Sequence, residues 1–147
     1  MYDMKRLYLP KKGRSKRVSS WDKTGKNDDY ITINPYETIN IAEIKGPGII
    51  NHIWMTIATD EKYSFRKVLI RAYWDGEEEP SVNAPIGDFF GVGHGVASHY
   101  ISLPLNMITS QGSIENKAAM NVYFEMPFKK NARFEIVNEC DNEIVIY

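Results

Sequence analysis

Cysteine is almost absent from this 147-residue chain, and Cys140 stands alone. One thiol can form neither an intramolecular disulfide nor a cysteine-based zinc site, so packing must hold the core, and a reducing, cytoplasmic compartment fits. Long apolar runs are missing too. The amino terminus, MYDMKRLYLP, lacks the apolar stretch of about 7 to 15 residues that makes a signal peptide, and no segment approaches the roughly 18 needed to cross a bilayer. No membrane partner is expected. Histidine is limited to His52, His94 and His99. In an extended segment His94 and His99 face opposite sides, which argues against a shared metal, and no metal or other cofactor is expected. GVGHGV lacks the lysine and the glycine spacing of a phosphate loop.

Charge is balanced overall at -1 but unevenly spread. Residues 1 to 27 hold nine Lys or Arg against two Asp, net +7, and the rest hold nine against seventeen, net -8. The aromatic interleaving and motif spacing of nucleic-acid modules do not accompany this basic head, so it reads as a solvated arm and no nucleic-acid partner is expected. Residues 1–30 form that arm and a following loop. Residues 31–147 form a single domain, apolar enough to bury a core.

From Tyr30 onward the chain alternates over short runs separated by turn formers. The runs are Thr38 to Ile44, Ile49 to Ile57, Lys67 to Trp74, His99 to Leu105, Met120 to Met126, Ala132 to Asn138 and Glu143 to Tyr147. Such runs predict an all-β domain, an antiparallel jelly roll or β-sandwich. The spacing of Ile49, Ile50, Ile53, Trp54 and Ile57 also fits a helical face, but the preceding Gly-Pro-Gly and the β-branched content favour a strand with Ile49, Asn51, Ile53, Met55 and Ile57 on one face. Ser113 to Ala119 is the other plausible helix. Pro127 is expected to break its strand, with Phe128 entering the core and Lys129 and Lys130 staying in water. The last residues read as the opening of a further strand with no turn to finish it, so the domain looks truncated at its carboxyl end.

Residues 71 to 93, RAYWDGEEEPSVNAPIGDFFGVG, concentrate the chemistry. Asp75-Gly76 is a turn pair, and Glu77 to Glu79 read as a solvated acidic turn because adjacent like charges prefer water. Asp88, flanked by Gly87 and Phe89-Phe90, either lines a pocket or caps loop amides. Among the aromatic rings, Trp54 and Trp74 lie in strands and read as core. Phe89 and Phe90 lie in the loop, and Trp21 sits in a polar loop beside Asp22 and upstream of Asn27, Asp28 and Asp29.

WDGEEEPSVNAPIGDFFGVG (residues 74–93) resembles glycoside hydrolase family 172, known for difructose dianhydride I synthase/hydrolases and related furanosidases. Matching pieces follow in order: SSWDKTGKNDDY (19–30), GPGIINHIWMTI (46–57), YISLPLNM (100–107) and NVYFEMPFKKNARFEIVNE (121–139). The resemblance implies two jelly rolls side by side, of which this chain supplies the first. It places the two catalytic glutamates beyond this chain, so the catalytic residues are unknown and the chain alone is expected to be inactive. It also implies a furanose-containing oligosaccharide or glycan as ligand, and a homo-oligomer or a partner chain supplying the second jelly roll. Gly25, Asn27 and Asp29 match the family's Gly-x-Asn-x-Asp pattern. The expected substrate contacts are therefore Trp21, Asn27, Asp29, Asp88 and Phe89. A non-catalytic carbohydrate-binding module and a capsid-like assembly protein are the alternatives, since fold alone does not fix function.

Overall fold

A computed structural model describes residues 8–10, 13–109 and 118–147. Among the described residues the architecture is antiparallel β-sheet, consistent with a sandwich. Twelve strands run in chain order as β1 (Ile31–Ile33), β2 (Thr38–Lys45), β3 (Gly48–Ile50), β4 (Ile53–Ala58), β5 (Val68–Trp74), β6 (Val82–Pro85), β7 (Tyr100–Ile101), β8 (Leu105–Thr109), β9 (Ala118–Val122), β10 (Met126–Phe128), β11 (Asn131–Asn138) and β12 (Ile144–Ile146). Two single turns of helix, α1 (Ser64–Lys67) and α2 (Ile86–Phe89), follow β4 and β6.

A six-stranded sheet has the order β1-β12-β4-β9-β8-β7, and a four-stranded sheet has the order β2-β11-β5-β6. A small ribbon pairs β10 with β3. Met55, Ile57, Met107, Met120 and Val122 from the first sheet join Ile70, Ala72, Ala132, Phe134 and Ile136 from the second in one buried cluster. Period-2 alternation explains this arrangement, because each strand sends every second residue inward.

The phase slips once, in β2. Phe134 of β11 pairs with Ala42 while Glu135 pairs with Asn40, so Ile41 is an extra residue on β2. Thr-Ile-Asn-Ile-Ala-Glu-Ile-Lys shows the same slip in its sequence, where Ile41 and Ala42 are adjacent and apolar. The bulge returns Ala42 and Ile44 to the inner side and sends Glu43 outward opposite Arg133.

Several expected strands divide. Ile49 to Ile57 separates at Asn51-His52 into β3 and β4, so Ile53 and Met55 turn inward while Ile49 is exposed. His99 to Leu105 becomes the hairpin β7–β8, in which Tyr100 pairs with Met107. Pro127 does not end its strand. It lies in β10 opposite Ile49, in a two-stranded ribbon where a missing N–H donor is tolerated. Phe128 is buried and Lys129 and Lys130 are exposed, as expected. Residues 113–117 of the expected helix lie outside the described residues, and Ala118 and Ala119 open β9. The closing strand β12 is paired on both sides, by β1 and β4.

Candidate functional site

The five expected contact residues fall into two groups. Trp21, Asn27 and Asp29 share the loop before β1. Its organiser is Asp22, whose carboxylate accepts from Thr24 N at 2.7 Å, Thr24 Oγ1 at 2.9 Å and Lys26 N at 2.8 Å. Hydrogen bonds from Thr24 hold the Asp22 carboxyl below the ordinary aspartate range. Asp29 Oδ1 accepts from Asp22 N at 2.6 Å, so Asp29 closes the loop. Asn27 takes a left-handed conformation (φ 65°), which asparagine tolerates better than most residues. With its polar neighbours turned to each other, the loop leaves Trp21 55% exposed.

Asp88 and Phe89 belong to α2. Asp88 forms an ion pair with Arg66 of α1, and the same guanidinium reaches Gly93 O at 3.4 Å. The Asp88 carbonyl accepts from Gly91 N at 3.0 Å, and Val92 N donates to Gly87 O at 2.7 Å, closing a compact bend. Phe89 packs edge-on against buried Phe90, with ring centroids 5.1 Å apart. Asp88 therefore joins two helical turns, and Phe89 is half-buried against the core. Among the described residues, no hydrogen bond, ion pair or ring contact joins this group to the Trp21 loop.

A third feature lies on the outer face of the four-stranded sheet. Glu43, Arg133 and Tyr73 stand opposite one another across β2, β11 and β5, and with Gly76, Glu77 and Asn131 they line a cleft of about 130 Å³. The Arg133 guanidinium lies 3.7 Å above the Tyr73 ring and pairs with Glu135, to which Tyr73 OH donates at 2.8 Å. These contacts fix Arg133; Glu43 and Glu77 stand at the cleft wall, with Glu77 already accepting from the Ser81 hydroxyl. Asp75 (φ 56°) and Gly76 (φ 91°) are the left-handed pair of a tight turn, closed by Glu77 N donating to Trp74 O at 2.9 Å. Asp75 Oδ1 accepts from Lys129 N at 2.8 Å and Lys130 N at 2.6 Å, which pulls its carboxyl below the ordinary range. Asp75 is thus a turn former that ties β5 to the β10–β11 turn. Glu77, Glu78 and Glu79 are exposed, as a solvated acidic turn requires.

The cleft escaped the sequence reading. Alternation placed Tyr73 opposite the core residues of β5, but a partner on β2 needed the bulge at Ile41. The tryptophans also divide: Trp74 packs edge-on against Phe134 at 5.5 Å, as a core residue should, whereas Trp54 is 49% exposed. The expectation of a core role fails for Trp54 because it falls on the outer side of β4, between inward Ile53 and Met55.

Polar and aromatic groups are thus carried on loops and outer faces of an antiparallel β-sheet scaffold. The chain belongs to the GH172 domain-like family, whose match spans residues 23–146, most of the chain. Its likeness to the carbohydrate-active enzymes of glycoside hydrolase family 172 is thus a family-level one. Among the curated proteins, none matches the chain. Among the described residues, no three His, Cys, Asp or Glu side chains are grouped to hold a metal ion.

Proposed function

We propose that this chain is the first jelly roll of a glycoside hydrolase acting on furanosides such as fructofuranosides, difructose dianhydrides or arabinofuranosides. The observation that carries this reading is the family match over residues 23–146. In it the chain forms part of the substrate-binding wall, with Trp21 offering a ring face and Asn27, Asp29, Asp88 and Phe89 framing the sugar. Glycosidic cleavage or intramolecular transfer needs two carboxyl groups, one protonated and one ionised, flanking an oxocarbenium-like transition state. The family's glutamates come from a second jelly roll, in this chain's continuation or in a partner. The assembly is cytoplasmic and oligomeric.

The test is calorimetric titration of the purified chain with fructo- and arabinofuranosides, followed by hydrolysis assays with and without a second-jelly-roll partner. Furanoside binding without turnover by the chain alone is expected. Asp88→Asn should weaken that binding and leave the melting temperature in place. Absence of furanoside binding would overturn the reading, and unchanged affinity with a lower melting temperature would remove Asp88 from the site.

A further inference from the structure

The outer face of the six-stranded sheet carries a row of polar and apolar side chains. Trp54 of β4 stands directly opposite Asn121 of β9, Asn121 opposite Asn106 of β8, and Asn106 opposite Ile101 of β7. With neighbouring strands about 4.8 Å apart, this row is about 14 Å long. On one side of it His52 and Tyr123 stack with centroids 4.6 Å apart and planes 6° from parallel. On the other side Thr56, Ala119 and Ile108 form a parallel row. None of these positions is Asp, Glu, Lys or Arg, in a chain of which those four make up 25%.

Hydrogen bonding gives the row a direction. Asn121 Nδ2 donates to Asn106 Oδ1 at 2.9 Å, so Asn121 Oδ1 is the acceptor for His52 Nε2 at 2.8 Å. The relay runs from His52 through Asn121 to Asn106. It ends on the Asn106 amide nitrogen, which has no partner among the described residues. Asn121 is 8% exposed, so its amide is held in place by both neighbours. A half-exposed indole therefore stands in register with oriented amides, followed by an aliphatic end.

We propose that this face is a carbohydrate-binding platform for a neutral oligosaccharide, separate from the residues of the furanoside reading and sharing with it only a carbohydrate ligand. The C–H face of a sugar ring lies on Trp54, and a hydroxyl, which donates and accepts alike, takes the Asn106 N–H, which has no partner among the described residues. The lack of charge disfavours phosphate, carboxylate or ammonium as the recognised group. An apolar protein surface laid over the row would bury the Asn106 donor without an acceptor, a cost a polyol avoids.

The experiment is a titration of the isotopically labelled full chain with fructo-, arabino- and cello-oligosaccharides, observed through backbone amide signals, with Trp54→Ala, Asn106→Leu and Trp21→Ala variants in parallel. Shifts are expected at residues 52–56, 105–108 and 119–123. Trp54→Ala should weaken this binding about tenfold at an unchanged melting temperature, while Trp21→Ala leaves it intact. If the platform responds and furanosides do not bind elsewhere, this proposal stands and the furanoside reading falls. Shifts confined to residues 19–30 and 86–95 and indifferent to Trp54→Ala overturn the platform and leave the furanoside reading standing. Absence of any oligosaccharide binding overturns both. A Trp54→Ala chain that changes sedimentation mass with sugar affinity unaltered assigns the face to a contact between protein copies and overturns the platform.

Discussion

Asn138 shows how much one side chain can hold together. The two hydrogens of its Nδ2 are shared among Ile33 O at 3.1 Å, Asn34 O at 2.9 Å and Asn142 O at 3.0 Å, and its Oδ1 accepts from Cys140 N at 3.0 Å. The residue is fully buried, so alanine leaves several polar groups without partners. Asn138→Ala should cost about 3 kcal/mol, read from the urea midpoint at constant slope. A loss below about 1 kcal/mol would mean that water replaces the amide. Asp75 makes a pH-dependent case. Its carboxyl is held below the ordinary aspartate value of 3.8, first by the Lys130 N–H and then by those of Lys129 and Asn131. A depressed value contributes stability that is fully present above pH 3.8 and is lost as pH falls through the lower folded value. Wild type should therefore melt above Asp75→Asn at pH 7, and the gap should close below pH 3.8. A gap that persists in acid would assign the effect to geometry rather than charge. Asp75 was legible in the sequence because Asp-Gly has few uses besides a turn. Asn138 was not, because two of its partners, the carbonyls of Ile33 and Asn34, lie 105 and 104 residues away and only the fold brings them near.

Elements were legible where alternation ran unbroken and a turn pair closed it. β5 and β11 lie within a residue of their expected bounds, since Val68, Ile70 and Ala72 alternate cleanly and Asp75-Gly76 ends the run. Runs failed where a short irregularity splits an apolar stretch, as at Asn51-His52 and between Ile101 and Leu105. Periodicity cannot distinguish one long strand from two that leave in different directions. β1 and β6 were missed because three or four residues carry too little pattern, and α2 because one turn of helix has none. The bend after α2 nevertheless rests on a sequence-visible residue, Gly87. A Cβ there would lie 2.8 Å from Val92 O and 2.9 Å from Phe65 Cβ. Both neighbours belong to packed backbone or core, so neither can yield cheaply. Gly87→Ala should cost about 1–3 kcal/mol and loosen the bend that carries Asp88 and Phe89. Hydrogen exchange at Gly91 and Val92, whose amides close the bend, should quicken more than exchange in β11. Uniform acceleration in both places would mean that the bend has no stability of its own.

Across the whole molecule, the two large sheets share one core rather than two. Phe134 from the four-stranded sheet is buried in the same cluster as Met55, Met107 and Met120 from the six-stranded sheet. Neither sheet can shed its inner face without exposing that of the other, so unfolding should be a single cooperative event. The tryptophans permit a direct test, because Trp54 reports on β4 of one sheet and Trp74 on β5 of the other. In a Trp21→Phe background, Trp54→Phe leaves Trp74 as the reporter, and Trp74→Phe leaves Trp54. Each variant's fluorescence midpoint in urea should coincide with its own far-ultraviolet circular dichroism midpoint. Phe134→Ala empties a space beside Trp74 and should cost about 3–5 kcal/mol. Added to either reporter background, it should lower the midpoint by the same free energy whether Trp54 or Trp74 is observed. If only the Trp74 signal moved, the sheets would be separable units. The exposed Trp54 face and the cleft at Arg133 would then belong to surfaces whose stability, and whose ligands, act independently.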